Sequence, residues 1–255
     1  MVLNLVNICY LVGTAGSGKT MLVSSLQQYL RLKGASLTIV NLDPAVRHVP
    51  YQADIDIRDY INFDQLVDEY KLGPNGALIA ATDLIADYIV DIKEDVDDLG
   101  ESSDIVLVDT PGQVELFAYR NASIKITKSF PTDSTLLAFL FDSSLVSNVS
   151  GYLSVNLLAT SVQIRLNLPI IHVMSKTDLL KPHQIEEILE WRENPYDAID
   201  QLHGMNREFA LRTGQVFEGM SDIPLIPVSS LTGDGLELFG AQLSRIFEGG
   251  DDWSI

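Results

Sequence analysis

The chain has 255 residues, 46% of them hydrophobic, which is enough to bury a substantial core in one large α/β domain or two small ones. Its formal net charge of −18 argues against a general nucleic-acid surface, because such binding depends on Lys and Arg neutralising phosphates. No run approaches the roughly 20 apolar residues that span a bilayer, and the single cysteine, Cys9, excludes an intramolecular disulfide, so the expected setting is reducing and cytoplasmic.

Met1 to Val12 is apolar, has no basic residue ahead of it and leads straight into a glycine-rich loop. It reads as a buried first strand, Leu5 to Val12, rather than a signal-peptide core. The loop Gly13-Thr14-Ala15-Gly16-Ser17-Gly18-Lys19-Thr20 matches the phosphate-loop pattern GxxxxGKT in full. Its glycines let backbone N–H groups curl around phosphates, and the helix N-terminus adds partial positive charge. Lys19 is expected to reach the β and γ phosphates and Thr20 to ligate Mg²⁺. A glycine-rich turn that merely ends in Lys-Thr is the structural alternative.

A helix from about Lys19 to Leu32 turns at Gly34-Ala35 into a strand from Ser36 to Leu42. That leaves no room for the switch loop of small regulatory GTPases and matches the dimerising branch of P-loop proteins. There a carboxylate at the strand tip, here Asp43, approaches the site; Asp43 also fits a plain turn before Pro44. The stretch from Pro50 to Ser103 reads as an excursion with two helices on either side of Gly73-Pro74-Asn75-Gly76, by itself a good turn sequence.

A third strand, Asp104 to Val108, ends in Asp109-Thr110-Pro111-Gly112-Gln113. After a phosphate loop, Asp109 is expected against the hydration shell of Mg²⁺. Gly112 is expected near the γ-phosphate and Gln113 near the attacking water. Strands at Ser134 to Phe141 and Pro169 to Met174 follow, the second ending in Ser175-Lys176-Thr177-Asp178. This resembles the NKxD guanine-recognition motif of GTPases. Asp178 can accept both donors on the guanine edge, and adenine has no such pair. The Lys176 stem can cover the base. Ser175 is shorter than the usual Asn, which leaves open whether it braces the phosphate loop.

A helical excursion, Leu180 to Asp222, precedes a last strand, Pro224 to Val228. Ser229 and Ser230 beyond it resemble the fifth GTPase motif, where backbone groups meet the guanine carbonyl. Acidic runs at Asp91 to Asp104, Glu186 to Asp200 and Glu248 to Asp252 read as solvated faces and a frayed end. The alternation of apolar runs and helical patterns predicts an α/β fold, a mostly parallel sheet flanked by helices. Residues 1–248 are expected to form one domain, with insertions at about 50–103 and 180–222, and 249–255 to form a flexible tail.

The ordered set of the phosphate loop, Asn41-Leu42-Asp43-Pro44-Ala45, Asp54 to Asp59, Gly73-Pro74-Asn75, Asp109 to Glu115 and Ser175 to Asp178 resembles the GPN-loop GTPases of archaea and eukaryotes. The resemblance covers nearly the whole chain. It implies a P-loop NTPase fold, GTP as substrate, GDP as product, Mg²⁺ as cofactor and a homodimer of the archaeal type. The Gly73-Pro74-Asn75 loop would enter the partner's nucleotide site, so that Asn75 acts in trans. Gln113 and Glu115, helped by Asp43, would position and polarise the water, and Asp109 would support Mg²⁺ from behind its waters. An amide in place of an arginine finger implies slow hydrolysis. Eukaryotic relatives are associated with RNA polymerase assembly, which implies a client protein complex. The Asp54 to Asp59 segment is expected either to order around nucleotide or the dimer interface, or to be an ordinary turn.

Two other functions compete with this reading. A small-molecule or polynucleotide-end kinase with an arginine-bearing lid would draw on Arg192, Arg207 and Arg212. A nucleotide-dependent switch would use hydrolysis only to reset a partner-binding surface.

Overall fold

A computed structural model describes residues 6–100, 102–130 and 134–247. The expected tail, with Trp253, lies outside them, as does Leu5 at the expected start of the first strand.

Among the described residues, seven parallel strands form one sheet in the order β3-β2-β4-β1-β5-β6-β7. They are β1 Ile8–Gly13, β2 Leu37–Asn41, β3 Ile55–Asp56, β4 Ile105–Asp109, β5 Thr135–Asp142, β6 Ile170–Ser175 and β7 Leu225–Pro227. The central strands are buried along their whole length, as near-continuous apolar runs require when both faces are covered. Alternate side chains serve two cores. Ile8, Tyr10 and Val12 of β1 join one layer, while Cys9 and Leu11 join the other. Burial pushes the Cys9 thiol up to about 12, so it packs as a small apolar group.

The Cys9 layer is closed by α1 (Lys19–Leu32) and α13 (Leu236–Phe247). The Tyr10 layer is covered by the remaining longer helices. From the first excursion come α2 (Phe63–Tyr70), α3 (Pro74–Leu84) and α4 (Ile89–Gly100). After β4 come α5 (Val114–Ala118) and α6 (Asn121–Lys128), and after β5 a short α7 (Ser143–Val146) and the long α8 (Val149–Leu166). The second excursion adds α9 (Pro182–Glu193), α10 (Pro195–Asp200), α11 (Gly204–Arg212) and α12 (Gly214–Ser221). Among the described residues, no helix is long and apolar enough to cross a membrane.

Three sequence expectations change here. The first excursion holds three helices of a turn or more of regular α structure, not two. Gly73-Pro74-Asn75-Gly76 is not the turn between helices. Lys71 caps α2 in the left-handed region, and Gly73 then caps α3 with Pro74 at its first position. Proline suits that position because its fixed φ is helical and its missing N–H would have been unpaired anyway. Third, Asp54 to Asp59 is not an ordinary turn. It supplies the two-residue edge strand β3 and a 3₁₀ turn, Ile57–Asp59, whose cap is Asp56 accepting from the Arg58 N–H.

Candidate functional site

β1 lies between β4 and β5, so the chain leaves the sheet in opposite directions on its two sides and opens a crevice at the strand ends. The phosphate loop fills that point, between β1 and α1. A Cβ on Gly13 would fall 2.8 Å from Ser17 Oγ and 3.1 Å from Leu140 Cβ, so the loop packs against β5 only because this residue has none. Gly18 caps α1 at φ 92°, a conformation that costs other residues strain, and no side chain caps the helix end. Thr14 Oγ1 and Ser17 Oγ are buried without a partner. Open amides at a helix N-terminus and orphaned hydroxyls around a glycine cradle fit a phosphate chain.

Lys19 is 5% exposed, and its ammonium donates to the carbonyls of Gly13 (3.0 Å), Thr14 (3.0 Å) and Gly112 (2.9 Å). Burial lowers its pKa to about 8, against the raising influence of Asp109 and Asp43. Gly112 is also held at its other end, because its N–H donates to Asp43 Oδ2 at 3.0 Å. Asp43 Oδ1 accepts from the Ala45 N–H, and Asn41 Oδ1 accepts from the Asp43 N–H. Lys19 and Asp43 therefore pin the turn that leads into Gln113 and Glu115. Both of these are exposed, Gln113 as the cap residue of α5 and Glu115 in its first turn.

Asp109 is buried at the end of β4. Its Oδ2 accepts from the Tyr51 hydroxyl at 2.7 Å, and its Oδ1 has no hydrogen-bond partner. Burial raises its pKa to about 6, with Tyr51, the nearby Thr20 hydroxyl and Lys19 pulling it back. A hydroxyl beside an unsatisfied carboxylate oxygen is an all-oxygen donor set, the kind that Mg²⁺ takes together with nucleotide phosphates. Thr20 and Asp109 thus fit the cation that P-loop folds use.

The Ser175 to Asp178 loop joins this site across the sheet. Ser175 Oγ donates to the Ser17 carbonyl at 2.7 Å, so the short side chain does brace the phosphate loop. It reaches because β6 ends directly beside that loop. Ser143 Oγ in turn donates to the Ser175 carbonyl at 2.6 Å. Lys176, at φ 59°, runs past Gly18 and pairs with Asp142 Oδ2 at 2.7 Å. Burial alone would raise the Asp142 carboxyl; the Lys176 ammonium and Ser144 outweigh it and hold it below the usual range. Asp178 Oδ1 accepts from Ser229 Oγ at 2.6 Å, and the residue is otherwise exposed. Ser229 also accepts from the N–H groups of Leu231 and Thr232, which ties the last loop to Asp178. Ser230 follows, half-buried and with no side-chain hydrogen bond.

Gly73, Pro74 and Asn75 are exposed at the N-terminus of α3, which lacks a side-chain cap. Among the described residues, no hydrogen bond or ion pair joins Asn75 to the phosphate loop of its own chain. Arg192 is 4% exposed in the Tyr10 layer, so it is not free to act as a lid; Arg207, paired with Asp200, and Arg212 are both exposed. Sequence reasoning missed Tyr51 and Asp142. The proline before Tyr51 and the strand-end position of Asp142 were the only local signals.

A family model described as "Conserved hypothetical ATP binding protein" matches residues 11–248. The chain is 33% identical over 240 residues to GPN-loop GTPase 1 of Saccharomyces cerevisiae, covering 89% of this chain and 62% of that protein. It is 31% identical over 238 residues to GPN-loop GTPase 3 of the same yeast, covering 89% and 86%. A crystal structure of a GTPase in apo form from Pyrococcus abyssi superposes with a TM-score of 0.85 at 25% identity, covering 94% of this chain and 97% of that one. The chain spans about three-fifths of the length of several curated relatives. With the family model covering most of its length, and identity above 30% to relatives it largely covers, the chain belongs to the GPN-loop GTPase family.

Proposed function

We propose that the protein hydrolyses GTP to GDP and phosphate as a Mg²⁺-dependent homodimer, and that its nucleotide state switches a surface read by a client protein complex. Residues 1–248 act in this reading as one GTPase domain. The observation that carries it is the Ser175 to Ser17 hydrogen bond, which joins the loop bearing Asp178 to the phosphate loop. One rigid unit then offers a carboxylate for a purine edge and a cradle for its phosphates. Guanine presents two N–H donors to Asp178, whereas adenine has no such donor pair on that edge.

In the chemical step, Lys19 and the amides of residues 13–20 neutralise the phosphate chain. Thr20 and Asp109 would hold Mg²⁺, which would supply positive charge to the phosphate chain. Gln113 and Glu115 position and polarise the water, and Asp43 helps by holding the Gly112 turn that carries them. Asn75 is supplied by the partner subunit. Its exposure on an uncapped helix N-terminus supports this, since that end carries partial positive charge toward an anion. An amide and a helix end stabilise charge less than a guanidinium, so the acceleration falls below the roughly 10³ to 10⁵ of an arginine finger.

Phosphate release with Mg²⁺ and either GTP or ATP tests the reading. A marked preference for GTP is expected; equal use of ATP, which the description of the matching family model would suit, overturns the role of Asp178. Asn75→Ala is expected to keep GTP binding and the dimer while losing most hydrolysis, and unchanged turnover would remove Asn75 from the mechanism.

A further inference from the structure

Tyr51 belongs to none of the motifs of a phosphate site, yet its hydroxyl makes a buried hydrogen bond to the carboxylate at the centre of this one. It lies in the loop between β2 and β3, and its ring packs into the Cys9 layer under α1. The loop is anchored on both sides of it. Ser24 of α1 donates to the Pro50 carbonyl at 3.0 Å, immediately before Tyr51. Three residues later, the Asp54 N–H donates to the Ile39 carbonyl at 2.8 Å and Asp54 Oδ2 accepts from the Ile39 N–H at 2.7 Å. Such bracing leaves the Tyr51 hydroxyl little freedom of position.

At Asp109, that hydroxyl holds Oδ2 while Oδ1 stays buried without a partner and Thr20 lies alongside. A carboxylate rotates freely about its last bond unless one oxygen is held. A neutral donor holds it without cancelling its charge, as an arginine or lysine in the same place would. In that buried bond the Tyr51 hydroxyl is the donor and Asp109 Oδ2 the acceptor, 2.7 Å apart. Partners of this kind behind a metal site typically govern a 10- to 100-fold range of metal affinity.

We infer that Tyr51 is a positioning residue for magnesium, holding Asp109 by one oxygen so that the other, with the Thr20 hydroxyl, is presented to the cation. The inference rests on the nucleotide-site reading given above. It also gives the loop between β2 and β3 a task that small regulatory GTPases assign to a switch segment, here done by a braced loop.

Tyr51→Phe keeps the ring and removes the one hydrogen bond. The dissociation rate of a fluorescent GDP analogue is measured against Mg²⁺ concentration, with affinity in EDTA as reference. The Mg²⁺ midpoint is expected to rise at least about 10-fold with the EDTA affinity unchanged. An unmoved midpoint, or an equal loss of affinity with and without Mg²⁺, overturns the inference. Failure of the wild-type protein to bind the analogue instead sinks the nucleotide reading itself. Should Tyr51→Phe fail to fold, Ser24→Ala loosens the loop and spares the hydroxyl; its midpoint is expected to move the same way by a smaller factor, and no movement overturns the inference.

Discussion

Lys19 and Arg192 are buried to nearly the same degree, 5% and 4% exposed, and neither makes a direct ion pair. Lys19 sits at the mouth of the sheet on three backbone carbonyls, with the carboxylates of Asp109 and Asp43 close enough to raise its pKa. Arg192 sits within the helical layer. It donates to Asn156 Oδ1 at 3.1 Å and the Met220 carbonyl at 2.9 Å, bonds His172 Nδ1, and lies 5.4 Å from the Phe141 ring. Its partners come from α8, the end of α12 and β6, so one side chain joins three elements. Burying a charge costs several kcal/mol unless hydrogen bonds replace its water. Lys19 meets that requirement with three carbonyls, whereas Arg192 leaves its Nε, and its neighbour His172 Nε2, without partners; only the site at the strand ends adjoins a helix N-terminus and orphaned hydroxyls. A buried cation marks a binding site through those neighbours, and not through its burial.

The two sites respond differently to substitution, and the largest effect is expected at the sheet mouth. Lys19→Ala should lower turnover by roughly 10²- to 10³-fold while leaving the fold intact, read as phosphate release beside a circular dichroism melt. Near-normal turnover would break the contrast outright. Arg192→Leu should do the reverse. It strands Asn156 Oδ1 and the Met220 carbonyl and costs about 3 kcal/mol in urea unfolding, with activity per folded molecule unchanged. Lost activity at full stability would return Arg192 to the site.

Smaller effects sharpen the boundary between the two. Ser175→Ala removes the brace to Ser17 at a net cost of about 1 kcal/mol, which should appear as about 5-fold weaker nucleotide binding in a titration. An unchanged affinity would mean the two loops need no tie. His172 is held well below the ordinary imidazole pKa, first by burial and then by the Arg192 charge. The unfolded chain therefore takes up a proton that the folded one refuses once pH falls below about 6.5. This contribution to stability is complete above that pH and declines below it. His172→Gln should flatten the fall in melting temperature between pH 7.5 and 5; an identical slope would show that His172 does not set it.

Much of the site was legible in advance because it is written in short segments. The spacing of Gly13, Gly16, Gly18, Lys19 and Thr20 dictates a backbone path, and the polar clusters after β4 and β6 stand where a parallel sheet must end. The Gly73-Pro74-Asn75 segment was visible but its local structure was not. A proline and two glycines favour a turn as much as a helix start, and the packing of α3 on α5 and α6 decides between them. β3 escaped because two residues carry no periodicity; only pairing of Val40 and Asn41 with Ile55 and Asp56 makes them a strand.

What the sequence by itself determined is the catalogue of backbone-dictated features: a strand opening into a glycine-rich loop, a carboxylate-bearing loop at the end of β6, and a direct turn from α1 into β2. Tertiary structure alone decided the partners of the charged groups. Tyr51 meets Asp109 across 58 residues, and Ser175 meets Ser17 across 158. Arg192 turned from a lid candidate into a core residue on contacts 28 and 36 residues away. Local spacing constrains φ and ψ, whereas a side chain's role depends on which distant atoms the folded sheet places within about 3 Å of it.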